Sequence, residues 1–148
     1  MFTKQERSGF KYWFAHWCAY QMTALNLKCW RPRFLLHDIE KPWLKLILRD
    51  YKKVQKWHRL HNNHHLECVY RNMITKSKII ADWLAMVIDW ECSRFTKQDA
   101  PLTARQTLVK ELEKINREYP TVKFKGESIH DIVKTNIEKV LNELNLVA

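Results

Sequence analysis

Two glycines and four prolines in 148 residues leave little material for tight hairpins or for a glycine-rich phosphate loop. The four cysteines, Cys18, Cys29, Cys68 and Cys92, form no CxxC pair, which excludes a zinc knuckle or dithiol redox motif and reads as reduced thiols in a cytosolic chain. No apolar run approaches a membrane span, and the amino terminus MFTKQERSGFKYWF carries charges where a signal peptide has its apolar core. The expectation is a soluble cytoplasmic protein with no membrane partner. There is also no compact Lys/Arg run. The basic residues are spread between Lys4 and Lys139, which argues against a dedicated nucleic-acid arm.

What is present is apolar and aromatic: 46% hydrophobic residues and seven tryptophans, enough for a folded core in one domain. A formal charge of +10 attracts anions, whether nucleotides, nucleic acid or acidic proteins, although a solvated basic surface explains the same number.

Between Gln5 and Leu27, Phe10, Trp13, Phe14, Trp17, Tyr20, Met22 and Leu25 recur near helical spacing around His16, which predicts a long aromatic helix. Pro32 suits the first turn of a second helix carrying the His37-Asp38 pair, and Pro42 interrupts or restarts it. A third segment runs from Trp43 to about Trp57. Asn62-Asn63 suits an N-cap, predicting a new helix through His64 and His65 to about Asn72. Thr75 or Ser77 caps the next, from Lys78 to about Phe95. Thr103, with Gln106 in the capping-box position, opens a charged helix to about Tyr119. Thr121 to Lys125 reads as extended, Gly126 ends it, and Ser128 caps a last amphipathic helix through Leu144. The expected fold is all-α and the whole chain, 1–148, a single domain, with a core at about 10–95 and a more polar helical extension at about 102–148.

Chemistry concentrates in histidines and aspartates. His58, His61, His64 and His65 fall within one short stretch downstream of His37-Asp38. Imidazoles mixed with carboxylates favour one or two divalent transition metal ions (Mn, Fe, Co, Ni or Zn) over calcium or magnesium, which want nearly all-oxygen shells. A solvated histidine-rich helix is the plainer alternative. If the helix continues through the asparagines, His61, His64 and His65 share a face; if it breaks there, His61 approaches from the preceding helix. His58, one turn farther away, reads as a bystander in both cases. In the apolar helix IIADWLAMVIDW, Asp82 and Asp89 share a face and need a base or a metal as partner.

In chain order, His16, the His37-Asp38 doublet, the later histidines and Asp89 resemble the HD-domain superfamily of metal-dependent phosphohydrolases. The resemblance covers roughly residues 10–95. HDIEK places Lys41 one turn after the doublet, Asp89-Trp90 falls where the distal aspartate is expected, and WHRLHNNHHLE is similar to a small bacterial and viral branch. It implies an HD-domain-like bundle of about six to seven helices in which His16, His37, Asp38 and Asp89 hold one metal, Asp38 bridges, and His61, His64 and His65 hold a second ion or contact phosphate. Water activated by the metal would attack phosphorus while Lys41 pairs with a phosphate oxygen. Glu67 and Glu40 are candidates for a general base or for orienting a liganding imidazole. Arg59, Arg71 and Arg94 are candidate phosphate contacts, and Trp57, Trp83 and Trp90 either stack on a base or fill core.

The expected function is hydrolysis of a nucleotide or related phosphoester, an anionic small molecule. Two alternatives stay open: a di-iron oxygenase variant of the same scaffold, and a non-catalytic module binding nucleic acid or a protein.

Overall fold

The computed structural model describes residues 1–4, 6–68 and 80–146. Its architecture is all-α. A 3-10 turn, Glu6–Ser8, leads into α1 (Phe10–Asn26); a second, Pro32–Leu36, precedes α2 (Glu40–Leu48) and α3 (Tyr51–His61); then come α4 (Ile80–Thr96), α5 (Ala104–Glu118) and α6 (Ile129–Glu143). A minimal hairpin, β1 (Lys123–Phe124) and β2 (Glu127–Ser128), joins the last two helices. Its turn places Lys125 and Gly126 at φ of 51° and 87°, the left-handed pair that a two-residue hairpin loop requires.

The centre is α4. Every residue from Asp82 to Ser93 is buried, as expected of a helix that is apolar nearly all round. α1 packs along it, and α6 and α5 cover other sides. α1 turns Tyr12, His16, Tyr20 and Ala24 inward at four-residue steps, so His16 reaches α4 on the same stripe as apolar contacts. One core runs from Tyr20 and Phe34 through Met86 and Ile88 to Leu108, Ile115, Ile137 and Leu141. Residues 102–146 therefore share the core of the preceding helices.

Local boundaries follow identifiable caps. Thr103 and Gln106 form the reciprocal capping box, and the Ser128 hydroxyl accepts from the Asp131 amide at 3.0 Å. The buried Glu91 carboxylate also accepts from the Ala104 amide, 2.8 Å away, tying α4 to the start of α5. Two expectations need correction. The segment from Trp43 to Trp57 is two helices, because Arg49 enters the left-handed region (φ 53°) and Asp50 then caps α3 by accepting from the Lys52 amide. The stretch after Pro32 is a 3-10 turn that ends at His37, and Pro42 lies in the first turn of α2, where a missing N–H costs no helical bond. The expected helix to Asn72 extends beyond the described residues, and the caps at Thr75 or Ser77 lie outside them altogether.

Because Ile137 is fully buried against this shared core, Ile137→Ala is expected to cost about 2–5 kcal/mol. Denaturant unfolding followed by tryptophan fluorescence and by far-ultraviolet dichroism should still show one coincident transition. A separate transition for the C-terminal helices would contradict the single core.

Candidate metal centre

The His37-Asp38 doublet sits between helices. Side chains of adjacent helical residues diverge by about 100° and cannot easily converge on one point. Here His37 is extended (φ −59°, ψ 123°) and Asp38 is left-handed (φ 59°), a conformation that aspartate tolerates better than most residues. The kink turns both side chains into the protein, leaving them 6% and 2% exposed. Three contacts to α1 hold it there. Trp13 donates its indole N–H to the Asp38 carbonyl at 2.8 Å, Gln21 donates to the Phe34 carbonyl at 2.7 Å, and Tyr20 stacks on the His37 ring with centroids 3.7 Å apart.

Four side chains from three parts of the chain then converge. His16 Nε2 lies 2.9 Å from Asp89 Oδ1, 3.5 Å from His37 Nε2 and 3.8 Å from Asp38 Oδ2. His37 Nε2 lies 3.6 Å from Asp38 Oδ2 and 3.5 Å from Asp89 Oδ1. Ligands held about 2.1 Å from one transition metal ion are themselves about 3 to 3.5 Å apart, so His16, His37 and Asp38, with ligand atoms within 4.8 Å of one another, can hold an ion, and His16, Asp89 and Cys92 form a second such set. Cys92 Sγ, 3.8 Å from His16 Nδ1, donates to the Asp89 carbonyl at 3.2 Å and so supports both ligands from behind.

The other oxygen of Asp38 faces a second group. Oδ1 is 3.1 Å from His58 Nε2 and 3.4 Å from His64 Nε2, and His65 Nε2 is 2.7 Å from His58 Nε2. The donor atoms of Asp38, His58, His64 and His65 all lie within 4.8 Å of one another. Among the described residues, Asp38 Oδ1 and His64 Nε2 have no aligned hydrogen-bond partner despite their burial. Buried polar atoms without aligned partners are uncommon, and a cation between these two would satisfy both. The Glu40 carboxylate meets His58 Nδ1 and accepts from Asn62 Nδ2 at 2.8 Å, an arrangement that directs His58 Nε2 inward. The buried His/Asp groups can therefore hold metal, with Asp38 shared between two sets.

Electrostatics agree with this. Burial pushes Asp38 and Asp89 up, but the charges and hydrogen bonds of the surrounding histidines, with Lys41 beside Asp38, outweigh it and hold both carboxyls well below the usual range. Burial drives His16 and His65 down and His64 down to about 4, leaving neutral imidazoles with available lone pairs. Burial and Lys41 depress His58, yet Asp38 and Glu40 prevail and raise it above the ordinary histidine value.

The structure thus brings together His16, His37, Asp38, His64, His65 and Asp89. His61 is corrected: α3 ends at Asn62 in extended backbone, so His61 points out of the bundle, stacks on Trp57 at 4.3 Å and bonds the Trp57 carbonyl. It lines a cleft of about 290 Å³ beside His37 and His64 but belongs to neither group within ligand reach. His58 takes its place, because Val54 and His58, one turn apart, form the buried face of α3. Lys41 pairs with Asp38 Oδ2 and lines a larger cleft of about 820 Å³ that also exposes His16 and Asp38. Glu67 instead pairs with Arg59 at 2.6 Å and sits 3.7 Å from Lys114. Arg94 pairs with Glu91 at 2.9 Å and stacks over Phe95. None of Glu67, Arg59 and Arg94 lines either cleft, and Arg71 lies outside the described residues. The cations at the larger cleft are Lys41, Lys45, Arg49 and Arg7. The first three recur at four-residue steps from the doublet, a signal present in KPWLKLILR. Asp82 forms an ordinary ion pair with Arg33 at 2.8 Å, and Trp83 and Trp90 are core.

No family model, curated protein or solved structure matches the chain.

Elemental mass spectrometry of protein purified without chelator is expected to find bound transition metal. His58→Ala should lower its content as His64→Ala does, while His61→Ala leaves it unchanged. Glu40→Gln should weaken metal affinity by about 10–100-fold. Because the raised His58 must lose a proton to bind, affinity should keep rising with pH above the ordinary histidine range. Equal losses for His58→Ala and His61→Ala would refute this ligand assignment.

Proposed function

We propose that the protein is a metal-dependent phosphohydrolase of the HD type acting on a nucleotide or related phosphoester, with one or two divalent transition ions. The single observation that supports it most is the shared carboxylate: Asp38 presents one oxygen to His16 and His37 and the other to His58 and His64. A bound ion supplies Lewis acidity, acidifying water and withdrawing charge from phosphoryl oxygens. His16, His37, Asp38 and Asp89 would hold the first ion, and His58, His64 and His65, with Asp38, the second.

The remaining roles belong to the chain itself. Asp38 outweighs the effect of burial on Lys41 and raises its pKa, so its ammonium stays charged and pairs with a phosphate oxygen at the open side of the cluster. Tyr12 stacks near His16, with centroids 5.8 Å apart, and lines the same cleft. Burial raises its phenol, keeping the hydroxyl protonated as a donor for a second oxygen.

The test is hydrolysis of p-nitrophenyl phosphate and of mixed nucleotides by protein loaded separately with Mn, Fe, Co, Ni or Zn. Turnover should require metal, vanish with chelator, and fall at least about a thousandfold in His37→Ala/Asp38→Ala, the scale expected when the activating centre is lost. Lys41→Ala should lower kcat/KM by about 10–100-fold while metal content is retained, as loss of one charged hydrogen bond predicts. Bound iron with oxygen-dependent spectral changes and no phosphate release would favour the oxygenase alternative. Salt-dependent RNA or DNA affinity that survives the double substitution, with no turnover under any metal, would favour the binding module.

A further inference from the structure

α2 is an inverted helix. It has no buried residue, and its polar positions Glu40 and Lys41 face the histidine cluster while Trp43, Leu46 and Ile47 stand 67%, 70% and 76% exposed. Apolar side chains left in water at this density usually mark a binding surface. Trp43 and Leu46 line the 820 Å³ cleft, and across α1 so does Phe10, itself 65% exposed. Trp13 and Tyr51 extend the aromatic wall, and the cleft reaches His16 and Asp38.

The chemistry of the wall is uneven. Its rings outnumber its aliphatic side chains, and it carries four cations against the lone carboxylate of Asp38. Among the described residues that line it there is no Ser, Thr, Asn, Gln or Glu. The indole N–H of Trp13 is already committed to the Asp38 carbonyl, and the Tyr51 hydroxyl accepts from Gln55. A site that reads the edges of all the nucleobases aims amide, carboxylate or guanidinium groups at them, whereas stacking alone is tolerant of the base; here amides are absent, and the Arg7 guanidinium is paired with Asp99. This cleft offers flat faces and positive charge instead.

Resting on the phosphohydrolase reading above, we infer that this cleft takes a phosphoester whose alcohol portion is a flat aromatic group, held by its ring face against Trp43 and Phe10 and not selected by its hydrogen-bonding edge. Lys41 neutralises the phosphate beside the metal groups. Arg49, just past the end of α2, suits additional negative charge on the same ligand. Continuity with Asp38 and His16 and the excess of positive charge favour such a ligand over a second copy of this chain, which carries the same net charge of +10.

Three phosphonates with one head group test this: methylphosphonate, hexylphosphonate and phenylphosphonate, titrated calorimetrically into metal-loaded and into chelator-treated protein. Phenylphosphonate should bind the loaded protein about tenfold more tightly than methylphosphonate, the scale of one stacking contact, and more tightly than hexylphosphonate. Trp43→Ala and Phe10→Ala, both at exposed positions, should reduce the phenyl-to-methyl ratio toward one without changing methylphosphonate affinity or metal content. Chelation should weaken all three ligands and leave the ratio. For a protein that hydrolyses nucleotides, kcat/KM for the four ribonucleoside monophosphates should agree within about tenfold, because stacking is tolerant of the base.

Ring-independent binding, a ratio unchanged in Trp43→Ala, or base selectivity beyond tenfold would overturn the inference. So would a Trp43-dependent dimer in sedimentation without ring-dependent binding, which would give the patch to a second copy. Hydrolysis without ring dependence sinks the subsite and leaves the proposed activity standing. Ring-dependent phosphonate binding without hydrolysis of any ester sinks the activity and leaves the subsite.

Discussion

The structure turns on a carboxylate that has almost no contact with water. Asp38 is 2% exposed, and an isolated charge in that position would cost several kcal/mol or more, so positive or polarisable groups must surround it. They come from every neighbouring element: His16 from α1, Lys41 from α2, His58 from α3 and His64 from the turn that follows. Much of the local architecture serves that requirement. The left-handed backbone at Asp38, the indole of Trp13 on its carbonyl and the clamp of Gln21 on Phe34 all fix where this one side chain points.

The same requirement explains why α1 and α4 are paired as they are. His16 lies on an otherwise aromatic and apolar stripe, and Asp89 on a helix buried all round. Each would be destabilising alone. Placed opposite one another, they exchange a 2.9 Å contact, while Cys92, one turn beyond Asp89, fills the space behind His16 without adding a charge. α4 is thus both the centre of the apolar core and a rigid support for a ligand. The complement is α2, which gives its polar residues to the cluster and leaves its apolar ones outside.

The first His/Asp group was legible because burial and polarity conflict in the sequence itself: His16 among tryptophans, Asp89 among aliphatics and a His-Asp doublet between two prolines, Pro32 and Pro42. The starts of α5 and α6 were legible for a similar reason, since Thr103, Gln106 and Ser128 can each satisfy an amide that the helix leaves open, whereas the buried face of α1 was not: Phe10, Phe14, Met22 and Leu25 stand more than half exposed. The exchange of His61 for His58 was not legible. Both lie on α3, and the rotation of that helix is set by Val54 packing inward and by the break at Arg49 and Asp50, which spacing between histidines does not report. Beside the histidine cluster in sequence, Glu67 and Arg59 look like active groups. In space they answer each other and Lys114, a pairing across α5 that local pattern cannot contain.

Charge balance gives the cluster its direction. Two buried carboxylates, Asp38 and Asp89, face one ammonium, Lys41, and imidazoles of which burial holds His16, His64 and His65 neutral. With the Glu40 carboxylate on His58 counted as well as Lys41, one divalent ion would balance the group, and an ion in each set would leave a net positive centre. An apolar interior does not tolerate that excess any better than it tolerates a bare carboxylate. Two clefts approach the groups: the smaller is lined by His37 and His64, and the larger, walled by rings and further cations, by Asp38 and His16. A metal-loaded centre of this charge would be balanced by an anion at one of those openings, and on the side of the larger cleft the exposed Trp43 and Phe10 would be among the side chains that such an anion met.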